Sequence, residues 1–255
     1  MSNKTPLPRV AMFHGGGSTP QIFKRQCEAL ERHLGNSFEF VFFGAPFQSG
    51  PGAGVLPFFS EETWGPYLNW FTKGENGDDI PDGTAGSYDD EEGIDRVVRL
   101  IRECGPGGKW VGCLGFSQGT RTVAGLLRWQ QWRNNKETVD GDIDIKFGIL
   151  CMGAGAPMSS TIPESLLKWD EANSNRLICQ KDEQIRIPTL HLHGLSDSCY
   201  EAGKVQMKSH FDQNTVTCIE IDYHHAMPWH PKDVSLFVES IKKLYPQRKD
   251  GSQIS

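Results

Sequence analysis

The sequence predicts an α/β fold, a doubly wound and mainly parallel sheet with helices on both faces. Three observations carry that reading. Short segments rich in β-branched and aromatic residues alternate with longer helical patterns along the whole chain. Within one short segment, Phe147, Ile149, Leu150 and Cys151 form a mostly apolar run, the pattern of a strand covered on both sides. A length of 255 residues suits one large α/β domain better than two small ones.

Taken in order, the expected strands are Arg9–His14, Phe38–Phe43, Trp110–Gly115, Ile145–Met152, Thr189–His193 and Thr217–Ile221. The expected helices are Gln21–Leu34, Asp89–Cys104, Gln118–Asn134, Tyr200–Phe211 and Pro231–Tyr245. The tail Gln247–Ser255 is polar and expected to fray. One segment, residues 47–88, breaks the rhythm. It is rich in glycine and proline yet carries Phe58, Phe59, Trp64, Tyr67, Trp70 and Phe71. A loop of that length in a compact domain is usually functional or disordered, and the aromatics argue against disorder. It is expected to be a lid or pocket wall.

Composition excludes several classes of partner. There are 26 basic against 32 acidic residues, a formal net charge of -6. Nucleic acid or an anionic membrane surface would require a concentrated basic face. No run approaches the ~18 apolar residues that span a bilayer. The stretch Met1–Pro8 is polar and leads directly into a strand, so no signal peptide is expected. Seven cysteines are scattered without paired spacing, which points to reduced thiols in a cytoplasmic protein. The eight histidines show no His-Glu-x-x-His or compact cysteine–histidine pattern, so no metal is expected.

The chemistry starts at Gly115-Phe116-Ser117-Gln118-Gly119. Gly-x-Ser-x-Gly is weak by itself, but here it follows the strand Trp110–Leu114 and opens a helical stretch through Val123, Leu126 and Leu127. That context is what a nucleophile elbow requires. A sharp strand-to-helix turn lifts the serine Oγ above the sheet, and flanking glycines let the two elements approach. The helix N-terminus aims free N–H groups at developing negative charge. Ser117 is therefore the expected nucleophile. In α/β-hydrolases the loop after an early strand donates one oxyanion N–H and the residue after the nucleophile donates the other. The first strand ends in His14-Gly15-Gly16-Gly17, so the expected donors are Gly16 and Gln118, with Gly17 as the alternative to Gly16. There is no phosphate-binding Gly-x-x-x-x-Gly-Lys pattern. His14 is read as a support for this loop.

The acid and base should follow the serine in that order, each just past a strand. Asp197 lies four residues beyond His193, and Asp222 is a rival too close in sequence to the candidate histidines. The last strand runs into the adjacent His224 and His225, one of which should be the general base, since imidazole titrates near neutrality. His191 and His193 lie inside a strand and are read as core residues or as supports behind the site. The aromatic stretch Phe58–Phe71, with Trp64, Tyr67 and Trp70 as substrate-binding residues, would wall an acyl pocket. The alternative is that these side chains pack onto the sheet.

With these residues in place, the chain resembles the fungal serine hydrolase (FSH) family of α/β-hydrolases, over nearly its whole length. The resemblance rests on His14-Gly15-Gly16, Gly115-Phe116-Ser117-Gln118-Gly119 and Gly65-Pro66-Tyr67-x-x-Trp70-Phe71. It rests also on His224-His225-Ala226-Met227-Pro228, which is similar to the family pattern Gly-His-x-Val/Ile-Pro; His224 stands where that pattern has glycine. The alignment implies that His225 is the base. The family includes stand-alone thioesterases and esterases of fungal polyketide pathways. It thus implies cofactor-free hydrolysis of a small acyl ester or thioester in secondary metabolism, with a carrier-protein-bound thioester as one form of substrate.

Overall fold

The computed structural model describes residues 5–72, 93–134, 141, 143–159, 168–169, 177–178 and 184–246. The elements in chain order are β1 (Arg9–Phe13), α1 (Pro20–Gln26), α2 (Glu28–Leu34), β2 (Glu39–Phe43) and β3 (Phe47–Ser49). They continue with α3 (Glu61–Trp64), β4 (Tyr67–Asn69), α4 (Gly93–Glu103), β5 (Trp110–Phe116), α5 (Gly119–Asn134) and β6 (Ile143–Cys151). After β7 (Lys168–Trp169) and β8 (Leu177–Ile178) come β9 (Thr189–Gly194), α6 (Tyr200–His210), β10 (Val216–Ile221) and α7 (Pro231–Leu244). The tail 247–255, residues 89–92 at the start of the expected helix Asp89–Cys104, and 73–88 of the aromatic segment lie outside the described residues.

The fold is that of an α/β-hydrolase. Six parallel strands form the sheet in the order β10-β9-β6-β5-β1-β2. From β1 the chain crosses outward to the edge strand β2, and the next central strand, β5, pairs on the other side of β1. Successive connections therefore leave β1 and β5 in opposite directions, and the strand ends there open a crevice. Both the Ser117 motif and the His14–Gly17 loop arise at that point.

Side-chain alternation explains why the strands are buried on both faces. Along β1, Val10 and Met12 belong to one apolar cluster, with Leu30, Leu34, Phe237 and Ile241 from α2 and α7. Ala11 and Phe13 point the other way, to a cluster holding Ile94, Val98, Val123 and Leu127 from α4 and α5. The helix expected over Gln21–Leu34 is instead two, α1 and α2, broken where Cys27 leaves helical angles (φ -95°, ψ 3°). The break keeps Phe23, Cys27, Leu30 and Leu34 on one cluster. Thr19 caps α1, its Oγ accepting the Ile22 N–H at 3.2 Å.

The described half of the aromatic segment is ordered into a hairpin, β3 against β4, which an antiparallel bridge from Ser18 to Leu68 ties to the loop after β1. Among the described residues no helix is long and apolar enough to cross a membrane.

Candidate active site

Ser117 sits at the end of β5 with φ +52°, in the left-handed region that costs a non-glycine residue about 1–2 kcal/mol. Neighbouring bonds hold it there. Its N–H donates to the Cys151 carbonyl at 2.9 Å, and its own carbonyl accepts the Thr120 N–H at 3.0 Å and hydroxyl at 2.7 Å. The motif's glycines are a packing requirement. A Cβ on Gly115 would stand 2.3 Å from the Gly119 carbonyl oxygen, and one on Gly119 would stand 2.2 Å from that of Phe13. Only hydrogen fits between strand and helix.

The loop after β1 is locked by side chains from three segments. His14 is fully buried; the Ala45 N–H donates to its Nε2 at 3.1 Å, and its Nδ1–H donates to the Gly15 carbonyl at 2.7 Å. Both ring nitrogens are thus engaged in the neutral form, and burial pushes the imidazole down to about 4. His14 supports the loop as a neutral ring with no free nitrogen left to exchange a proton with substrate. The Trp70 indole N–H donates to the His14 carbonyl at 2.8 Å, while the Trp70 backbone N–H donates to the Gln118 Oε1 at 2.9 Å. The Gly17 N–H is shared between the Leu68 carbonyl at 2.9 Å and Asn69 Oδ1 at 2.7 Å. That amide is spent. Among the described residues the Gly16 and Gln118 amides donate to no protein acceptor, and the Gln118 side chain lies just over Gly16.

Asp197 and His225 arrive from two neighbouring strands. After β9 the chain turns so that the Asp197 N–H meets the Gly194 carbonyl at 3.1 Å. Asp197 Oδ1 accepts the Cys199 N–H at 2.8 Å, and Oδ2 lies 2.8 Å from His225 Nδ1. The Asp197 side chain is 1% exposed and that of His225 19%, so the carboxylate is shielded while the ring keeps an open edge. The His225 ring packs 5.0 Å from that of Phe116, the residue preceding Ser117. His224 is exposed and turned onto Trp229, with centroids 5.5 Å apart. Asp222 is exposed and, among the described residues, accepts only the Ser196 hydroxyl, at 3.4 Å. Among the described residues no hydrogen bond joins Ser117 Oγ to His225; such bonds are often long until substrate is bound.

A family model for the serine hydrolases (FSH1) matches residues 1–235. This chain belongs to the FSH1 serine hydrolase family. It is 34% identical over 253 residues to "Probable esterase tazC" of Aspergillus terreus, covering 94% of this chain and 93% of that protein. "Esterase claE" of Penicillium crustosum is also 34% identical, over 249 residues, covering 93% and 92%. The crystal structure of Zea mays acyl-protein thioesterase 2 superposes with a TM-score of 0.55 at 15% identity, covering 96% of each chain, which supports the shared fold. The protein is an ester-cleaving hydrolase.

The three aromatics expected at the serine hydrolase's pocket part company. Trp64 is half-buried and lines a groove of about 530 Å³ with Thr19, Pro20, Gln21, Pro66 and Leu68. Tyr67 and Trp70 are each 1% exposed. Tyr67 packs on Ile22 and Val55 and donates its hydroxyl to the Phe59 carbonyl at 2.6 Å. Trp70 packs edge-on against Phe13, centroids 5.4 Å apart. Both offer no surface to a ligand here, because a hairpin laid over the sheet buries its inward side chains; of the three, Trp64 alone faces an open groove.

Sequence reasoning passed over Asn69 and Cys199. Asn69 was legible only as an unmarked position within Tyr67-x-x-Trp70, and Cys199 as one scattered thiol. The Cys199 thiol is half-buried, and burial followed by the Asp197 charge raises its pKa above the ordinary thiol range. His191 and His193 are buried within β9 as expected; burial pushes His191 down to about 3.

Proposed function

We propose that the protein hydrolyses an acyl ester or thioester through an acyl-enzyme on Ser117. The observation that carries this is the shielded Asp197–His225 pair, 2.8 Å apart, beside a serine held at φ +52°. With Nδ1–H donating to Asp197, the ring keeps its Nε2 lone pair for the Ser117 proton. Oγ attacks the acyl carbonyl, the C–O or C–S bond to the leaving group breaks, and the leaving group takes that proton from His225. Water, deprotonated by the same ring, then releases the acid and restores Ser117. The Gly16 and Gln118 amides, which have no protein acceptor among the described residues, are the oxyanion donors.

The substrates are polyketide-type acyl groups, on a carrier protein, on coenzyme A or as small-molecule esters, handled in fungal secondary metabolism in the cytoplasm. Support for this is the resemblance to a family that includes such releasing enzymes. The relatives' names favour a second form of the same reading, a carboxylesterase acting on free esters. A fluorophosphonate probe tests the nucleophile: it should label the protein and fail to label Ser117→Ala. Equal labelling of both would sink the assignment. A panel of acyl thioesters against oxygen esters of the same acyl group, compared by kcat/KM, decides between the two forms.

A further inference from the structure

We propose that Asp197, Cys199 and His225 form a binding site for a thiophilic divalent cation, Zn²⁺ above all, and that its occupancy switches the enzyme off. One ligand atom from each residue lies within 4.8 Å of the others. The local fold makes the cluster. Asp197 Oδ1 accepts the Cys199 N–H at 2.8 Å, which curls the turn so that residue 199 comes back beside the carboxylate. The loop after β10 brings His225 to the same carboxylate from the other side. No sequence spacing announces the set, since His225 lies 28 residues from Asp197.

The donors select the ion. One nitrogen, one oxygen and one sulfur suit zinc and its softer neighbours, whereas Mg²⁺ and Ca²⁺ take oxygen donors. With metal–ligand bonds of about 2.0–2.3 Å, donors around a tetrahedral zinc stand roughly 3–4 Å apart. Reaching that from the present geometry takes a small widening of the 2.8 Å gap between Nδ1 and Oδ2 and an inward turn of the sulfur. Cys199 and His225 are both partly exposed, so an ion has a way in and water can supply the fourth ligand.

Binding and catalysis compete for one nitrogen. In the resting pair Nδ1 carries the ring's proton and donates it in a hydrogen bond to the Asp197 carboxylate. A metal ion taking the Nδ1 lone pair requires that proton to move to Nε2, and the Cys199 thiol passes its own proton to water. The two positive charges of the ion are then balanced by one carboxylate and one thiolate, and one proton is released in all. Nε2, now protonated, has no lone pair for Ser117. The inhibition rests on the reading of His225 as base; the binding does not.

The test uses the full chain. Titration with Co²⁺ should raise a thiolate-to-cobalt charge-transfer band saturating at one ion per chain, absent in Cys199→Ser and in Cys199→Ala. Zn²⁺ should inhibit ester hydrolysis by the unaltered protein, reversibly on chelation. Both Cys199 variants, which keep the backbone N–H to Asp197, should retain metal-free turnover and lose sensitivity to Zn²⁺ by roughly 10-fold or more. A band that survives in both variants, or no band at all, overturns the site. Cobalt binding that depends on Cys199 while turnover stays unchanged overturns the switch. Metal-free turnover of His225→Ala reports separately on the base: if that variant is inactive while Zn²⁺ leaves the unaltered protein untouched, the switch fails and the base assignment stands.

Discussion

Adjacent side chains just past a strand leave the backbone in different directions, so His224 and His225 cannot both reach Asp197. His225 makes the 2.8 Å approach and His224 lies on Trp229. His225→Ala is therefore expected to lose turnover as severely as Ser117→Ala, with the double variant no worse, because such residues act as a unit and leave only ~10³–10⁴ over water. His224→Ala should cost a small factor; steady-state kinetics showing the reverse ranking would transfer the role. Asn69 belongs to the same scale. Its Oδ1 holds the Gly17 N–H, and with that bond the direction of the preceding Gly16 amide. Asn69→Ala should lower kcat roughly 10–100-fold with KM little changed, since small misplacements of an oxyanion donor carry that size of penalty. A fall confined to melting temperature, with kcat intact, would leave Asn69 a packing residue.

The hairpin β3–β4 and the short helix α3 act as one element with two faces. Its inner face, Trp70, is 1% exposed and bonded to the His14 carbonyl. Its outer face, Trp64, lines the groove. The two tryptophans should respond differently to truncation. Trp70→Ala opens a cavity worth about 3–5 kcal/mol, lowering the melting temperature by roughly 10 °C and depressing activity on every substrate alike. Trp64→Ala should leave the melting temperature nearly unchanged and reduce kcat/KM for long or aromatic acyl groups more than for an acetyl ester. Equal losses on both substrates for Trp64→Ala would remove the groove from the acyl site.

Across the whole molecule, histidines buried without charge couple stability to pH. Burial lowers His14 to about 4 and His191 to about 3, and it lowers His193 as well. Their ordinary value is near 6.5, so between 6.5 and about 4 the unfolded chain binds more protons than the folded one. Stability is then complete above pH 6.5 and is lost as the pH falls, by up to ~1.4 kcal/mol per pH unit for each such group. Thermal melts from pH 7 down to pH 5 should show a steady drop in melting temperature. A flat profile over that range would mean that these imidazoles accept protons in the folded state.

The sequence by itself determined the sheet, its six strands and the elbow, because each is encoded among near neighbours: two-residue alternation, apolar runs, and glycines flanking Ser117 that nothing larger could replace. It also determined the order of serine, acid and base candidates along the chain. Tertiary structure decided what depends on closure between distant segments. It broke the helix at Cys27 to keep four side chains on one cluster, and it buried Tyr67 and Trp70 beneath a hairpin that no local pattern announces. It turned His225 rather than His224 to Asp197, engaged the Gly17 amide on Asn69 while leaving that of Gly16 open, and brought Cys199 to the same carboxylate. The direction a side chain takes at a strand end is set by what packs against the loop, and those partners lie 28 to 56 residues away in the chain.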